Sequence, residues 1–341
     1  MSNTAPSGEI PRGAIRFNTD SNKPELWDGS QWAELQLSTP NLGQGSDTQP
    51  GARGFWAGGT PTPYKDTIHS VNISSAGNAT DFSNLTAGRV SLDGCSSQQR
   101  GLWMGGNPGS NFTDTIDFIT IASQANATDF GNLSLSRREV SALSSSTRGI
   151  CAGGYATPGA LSDTIDYVTI TSTGNAVDFG NLTSSAVTHS GSSSPVRGIV
   201  PVVYTGSVVN TINFLTISTT GNATDFGDTS VTRNNLSTCA NPIRAIFTGG
   251  YSSPTYYNTI DYVTIATTGN AANFGDLTAA RRESGACSSP TKGLTGGGYT
   301  GSNSDVIDYV NILTEGDSVD FGNLTAATAG CGALSNAHGG L

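Results

Sequence analysis

The 341-residue sequence has a formal net charge of −10, so it lacks the basic surplus expected of a chain that tracks along nucleic acid. Charged residues make up 12% of it, about half the usual share, while its 44 glycines are nearly twice the usual frequency. No apolar run of about 18 residues occurs, which excludes a helical membrane span and leaves no membrane partner to expect. The glycine content points to many tight turns and an all-β chain. The opening Met1-Ser2-Asn3-Thr4-Ala5-Pro6 has neither the basic nor the apolar region of a secretory signal, so synthesis in a reducing cytoplasm is the expectation. Asn-x-Ser/Thr triplets at Asn78, Asn84, Asn126 and Asn181 are then repeat chemistry and not glycan acceptors.

In chain order, residues 1–36 come first. Gly13 to Leu35 alternates apolar and polar residues, with turn signals at Asp20-Ser21-Asn22 and Asp28-Gly29. That pattern predicts a small β meander. Residues 37–52, rich in Ser, Thr, Pro, Gly and Gln, read as a linker. Within the meander, Gly13, Ile15, Arg16, Asn18, Glu25, Gly29 and Trp32 keep the spacing of a short module widespread in bacteriophage tail-fibre and other virion proteins, which this segment resembles. The resemblance implies attachment to a virus particle, with Ile15, Phe17, Trp27 and Trp32 as the contact residues.

From Arg53 onward the chain repeats. An Asp/Asn-Phe pair returns at Phe82, Phe130, Phe179, Phe226, Phe274 and Phe321, at intervals of 47 to 49 residues. The third copy shows the full text: Arg148 to Gly154, Asp163 to Ile170, then Gly174 to Thr183. Each copy reads as four short strands. Ile165 and Tyr167 on one face, with Val168 and Ile170 on the other, suit a strand covered on both sides. Gly174-Asn175 and its equivalents carry the signal of a tight hairpin turn. A β-bulge at Gly180 would let Phe179 and Leu182 face the same core. A unit this small must stack on its neighbours, and a period near 48 with four strands fits the blade of a propeller.

The order of elements resembles a kelch repeat: an Arg-led innermost strand (Arg138 to Ser144), an apolar strand ending in Gly-Gly (Ile150 to Gly154), a strand with a Tyr-like core residue (Asp163 to Ile170) and an aromatic-x-x-Leu strand (Phe179 to Leu182). It departs in using Phe where kelch repeats favour Trp, and in Pro201-Val202-Val203-Tyr204 of the fourth copy. The resemblance implies an all-β, six-bladed kelch-like β-propeller over residues 53–341, preceded by the N-terminal meander. The first copy starts at its Gly-Gly strand, so the spare stretch Ala326 to Ser335 should pair with it and complete its blade. The repeated text also resembles structural proteins of marine and cyanobacterial phages. That implies a virion location and other virion proteins (capsid, neck or tail) as partners, with homo-oligomers on the particle. A host-surface glycan or protein is a further partner.

Little in the repeat points to catalysis, and no enzyme activity is expected. Asp117, Asp166, Asp261 and Asp308 share one repeat position, and Asp81, Asp129, Asp178, Asp225 and Asp320 another. An acid needed in most copies is structural, capping turns and meeting backbone N–H groups. Arg53, Arg100, Arg148, Arg197, Arg244 and Lys292 form a six-fold set. It is either a positive rim for an acidic partner or an internal set paired with a repeated Asp or a carbonyl, and the acids at hand favour internal pairing. Cys95, Cys239 and Cys287 share a position filled elsewhere by Leu143, Ser192 and Leu334, which predicts buried free thiols. Without CxxC or a His/Cys cluster, no metal or other cofactor is expected. His69, His189 and His338 have no ligand-like neighbour, and the Tyr/His copper set of kelch oxidases does not map onto the chain. Recognition is expected in the loops that follow Gly-Gly, which vary between copies. Tyr64, Phe112, Tyr155, Tyr251, Tyr256, Tyr257 and Tyr299 there supply an aromatic surface for protein or sugar, or else tuck back onto the blades.

Overall fold

The alternating N-terminal residues form an antiparallel meander of three strands, Ile15–Asn18, Lys23–Trp27 and Trp32–Glu34. The structure, a computed structural model, describes residues 11–18, 23–27, 29–34, 53–109 and 111–341. The predicted turn at Asp20-Ser21-Asn22, the linker 37–52 and the side chain of Phe17 lie outside the described residues. The chain divides into two compact units between residues 46 and 47. In the meander Arg16 stands opposite Glu25, and the two pair at 2.8 Å. The Arg16 guanidinium lies 4.3 Å from the centre of the Trp32 ring, which packs on Trp27 at 5.4 Å. Arg16, Glu25 and Trp32 thus hold the meander together.

Among the described residues the second unit is built on six four-stranded antiparallel sheets, with two smaller sheets in its loops. The third is representative: Ser141–Ser144, Arg148–Ala152, Thr164–Thr169 and Val177–Asn181 lie side by side in that order. Ser141–Ser144 and its counterparts are here called inner strands, because they pack against one another in sequence from sheet to sheet. The first sheet takes its inner strand from the far end of the chain: Gly332–Ser335 pairs with Arg53–Ala57, placing Leu334 opposite Phe55. Only that part of the spare stretch pairs there, since the outer strand of the sixth sheet continues through Thr328. Among the described residues no segment is helical.

The bulge falls where the sequence places it. Phe179 is the extra residue between Asp178 and Gly180, which face Asp166 and Ile165. Phe179 and Leu182 are both buried as a result. Both faces of each sheet are apolar, and each core cluster joins two successive sheets. Leu143, Ile165 and Phe179 of the third pack with Val200 and Leu215 of the fourth. The sixth and first share Leu294, Phe321, Trp56 and Ile73.

Polar contacts follow the same succession. Gly174-Asn175 does not make the tight hairpin turn that its text predicts. Gly174 N–H donates to the Phe130 carbonyl of the preceding sheet, and the Asn175 side-chain oxygen accepts from Asn132 N–H at 3.1 Å. The same bond joins Asn222 to Asn181 and, from first sheet to sixth, Asn78 to Asn323. A side chain at Gly180 would collide with the Gly221 carbonyl, so the close approach requires glycine. The six-fold basic set reaches forward to carbonyls: Arg53 to Ile121, Arg100 to Ile170, Arg148 to Ile217, and finally Lys292 of the sixth sheet to Ser74 of the first. Inner-strand hydroxyls complete the pattern, with Ser144 and Ser193 donating to the Ser96 and Ser144 carbonyls. His338 lies at this end of the inner strands, bonded through Nε2 to Ser144 and the Ser96 carbonyl, and burial pushes it down to about 4.

The repeated acids pair with an arginine set that the sequence reading did not single out. Asp117, Asp166, Asp261 and Asp308 are fully buried and bind Arg89, Arg137, Arg233 and Arg281 at 2.6 to 3.0 Å. Arg137 also donates to the carbonyls of Cys151, Gly153 and Thr164, which fastens the Gly-Gly turn above it. A Thr or Ser hydroxyl from the preceding sheet completes each acid, as Ser134 does for Asp166 at 2.7 Å. Where the arginine position holds Ala186, the acid is Asn213, which accepts from Thr183. Where it holds Thr328, the acid is His69, bonded to Thr325 at 2.6 Å. Charge is therefore retained or lost as a pair, as expected when a single buried ion would be left without compensation.

Arg137→Ala should cost about 3–5 kcal/mol, because it strands the Asp166 carboxylate in a dry site. Adding Asp166→Asn, which copies the Ala186–Asn213 pair, should recover at least half of that loss. Denaturant unfolding of the two variants beside the parent checks both outcomes.

Candidate functional site

The connections entering the inner strands converge at the end opposite His338. Each carries one residue with positive φ: Ser91 (59°), Glu139 (54°), His189 (122°), Asn235 (54°), Glu283 (57°) and Gly330 (69°). The left-handed backbone turns the N–H of four of them toward the preceding connection. Glu139 donates to Ser91, Ser91 to Gly330, Gly330 to Glu283 and Glu283 to Asn235. Thr188, beside His189, donates to Glu139. These bonds offset a backbone cost of about 1–3 kcal/mol for each residue that is not glycine. Glycine would remove the cost, yet five of the six positions carry a side chain.

Those side chains line a cavity of about 220 Å³ with Asp93 at its base. Asp93 accepts from Ala142 N–H at 2.7 Å and Gly191 N–H at 3.1 Å. Burial outweighs those bonds and pushes its carboxyl up to about 8. Glu139 pairs with Arg138 at 3.6 Å and Glu283 with Arg282 at 3.4 Å. Glu283 also accepts from the Asn235 amide at 2.9 Å. Burial pushes His189 below its ordinary value, while Glu139 and Glu283 pull it back. The lining is polar, with carboxylates, an imidazole, an amide and the hydroxyls of Ser91, Ser190 and Ser284. Such a set is equipped to hold a ligand by hydrogen bonds. Among the described residues no group of three or more His, Cys, Asp or Glu is placed to hold a metal.

The aromatic residues expected to form a recognition surface divide into two groups and two outliers. Arg138 stacks on Phe112 at 5.0 Å and on Tyr155 at 5.6 Å. Arg282 lies among Tyr251, Tyr256 and Tyr299 at 4.8 to 5.7 Å, and those rings touch one another. Each stack adjoins a cavity acid through its arginine, so cavity and rings form one surface. Tyr64 and Tyr257 are half-buried and belong to neither stack. Small hairpins present several of these rings: Tyr155–Ala156 with Ala160–Leu161, and Tyr251–Ser252 with Thr255–Tyr256. In the meander, Ile15 is 68% exposed, whereas Trp27 and Trp32 are half-buried against each other. All five cysteines are free and buried.

Sequence reading missed Asp93, Glu139, His189, Asn235 and Glu283. Their signal was present: nine residues after its Phe, each regular copy changes identity (Ser91, Glu139, Asn235, Glu283, Gly330), two residues beyond an arginine in all but the last. Asp93 has the sign of a raised acid. Its contribution to stability is complete below the ordinary value of 3.8 and is lost as pH rises through about 8. A carboxyl ¹³C resonance should titrate with a midpoint near 8 and be absent in Asp93→Asn. The variant should also lose less stability than the parent as pH rises across that interval.

Comparison with known proteins found no family model that matches the chain and no curated protein that matches it.

Proposed function

We propose that the protein is a non-enzymatic structural protein of a bacteriophage virion, in which the six sheets are the blades of a kelch-like β-propeller. The module at residues 1–36 docks on the particle, and the loop end of the propeller binds a neighbouring virion protein or the host surface. One observation carries the binding role: the residues that differ between copies gather at one end, where five side chains hold a left-handed backbone around a polar cavity flanked by two arginine–aromatic stacks. Elsewhere the repeats use their polar groups on each other. A rigid scaffold with variable loops at one end is the usual plan of a recognition protein. The propeller reading draws support from the six shared cores and from the bonds that return from the sixth sheet to the first. The virion reading rests on the spacing of Gly13, Ile15, Arg16, Asn18, Glu25, Gly29 and Trp32 and on the phage-like text of the repeat.

Deleting residues 1–36 should release the protein from particles while its circular dichroism and melting temperature stay those of the parent. Full occupancy of the truncated chain on particles would overturn the docking role.

A carbohydrate-binding host-recognition spike is the second reading. It is favoured by three tyrosines and an arginine beside a cavity rich in hydrogen-bonding groups, the combination that holds sugars by stacking and by their hydroxyls. On that reading a glycan array of host envelope sugars gives a signal that Tyr256→Ala reduces at least tenfold. Silence across the array eliminates it.

A further inference from the structure

Five of the six sheets place an aromatic ring at the same point of the third strand: Phe118, Tyr167, Phe214, Tyr262 and Tyr309. Each ring is gripped in one way. It meets the outer-strand Phe edge-on at 5.7 to 5.9 Å. A cation, Arg100, Arg148, Arg197, Arg244 or Lys292, covers it at 4.6 to 5.2 Å. The first sheet has Ser70 instead, while its Phe82 and Arg53 remain, 5.5 Å apart. Phe55, opposite Ser70, replaces the Leu or Ile of the other sheets; it is fully buried in the inter-sheet core and meets Phe82 edge-on at 5.1 Å, so the edge contact is kept while the space over Ser70 stays open.

A cleft of about 270 Å³ is left, lined by Arg53, Ser70, Thr80, Asp81, Phe82 and Gln124 among others. The sister sheets also indicate the ring's polar end. The Tyr262 hydroxyl of the fifth sheet donates to Glu315 on the turn of the sixth at 2.8 Å. Gln124, on the turn of the second sheet, holds the repeat position of Glu315 and borders the cleft.

We propose that this cleft is a docking site for a tyrosine side chain of a partner protein. The ring settles over Ser70 beside Arg53 and Phe82, its face toward the guanidinium, and its hydroxyl reaches Gln124. The partner thereby supplies the residue that the first sheet lacks. The proposal is independent of the loop-end surface and of the virion assignment.

The test uses the full chain, titrated with acetyl-Gly-Tyr-Gly-amide and followed by amide NMR. Saturable shifts centred on Ser70, Phe82 and Gln124 are expected with this peptide, weaker shifts with its Phe counterpart, and none with its Leu counterpart. Ser70→Tyr, which supplies the missing ring in cis, should weaken binding at least tenfold. Gln124→Ala, a change on an exposed turn, should abolish the preference for Tyr over Phe and keeps the test decisive if Ser70→Tyr fails to fold. The proposal is overturned by absent shifts in the parent, by equal shifts in Ser70→Tyr, or by an unchanged Tyr preference in Gln124→Ala. Binding of p-cresol without binding of the tyrosine peptide would replace the protein partner with a free phenol and overturn it equally.

Discussion

A four-stranded sheet of short strands with apolar residues on both faces cannot stand alone, and every other feature of the second unit answers that constraint. Each core belongs to two sheets, so no sheet is complete without its successor. Burying both faces also buries backbone and polar side chains, which must then find partners across the same boundary. The Asn side chain on each turn, the basic residue at the head of each second strand and the inner-strand serines meet that need with bonds directed from one sheet to the next.

The buried arginine–aspartate pairs are the most exacting of these contacts. An unpaired charge in such a place is far costlier than a neutral pair, and the repeats obey that inequality. Ala186 accompanies Asn213, and Thr328 accompanies His69. His69 takes the neutral role because burial pushes it down to about 4. The arginine also binds the carbonyls under the Gly-Gly turn, so the same pair that secures a sheet sets the base of its variable loop. Sheet and variable loop are joined through that side chain.

Much of this architecture was legible in the sequence. The repeat interval, the four-strand text, the bulge at Phe179-Gly180 and the completion of the first sheet by the C-terminal strand could all be read from residue spacing. The Gly-Asn turns were misread, because a Gly-Asn pair signals a hairpin locally and only the neighbouring sheet recruits it for docking. The cavity escaped for the opposite reason. Its residues lie some 50 positions apart and change identity from copy to copy, so their shared repeat position carries no motif, and the left-handed backbone common to them is visible only in three dimensions. The empty place at Ser70 was likewise a single missing letter until the cleft around it could be seen.

The sequence by itself determined which residues alternate, where strands turn, and that one unit recurs from Arg53 onward, because these are local properties of composition and spacing. Only the tertiary structure decided which arginine meets which acid, that the basic set grips carbonyls of the next sheet, and that Glu139, His189, Asn235 and Glu283 face one cavity above Asp93. The physical reason is that repetition fixes the contents of each sheet, whereas pairing and convergence arise from the stacking of one sheet on another.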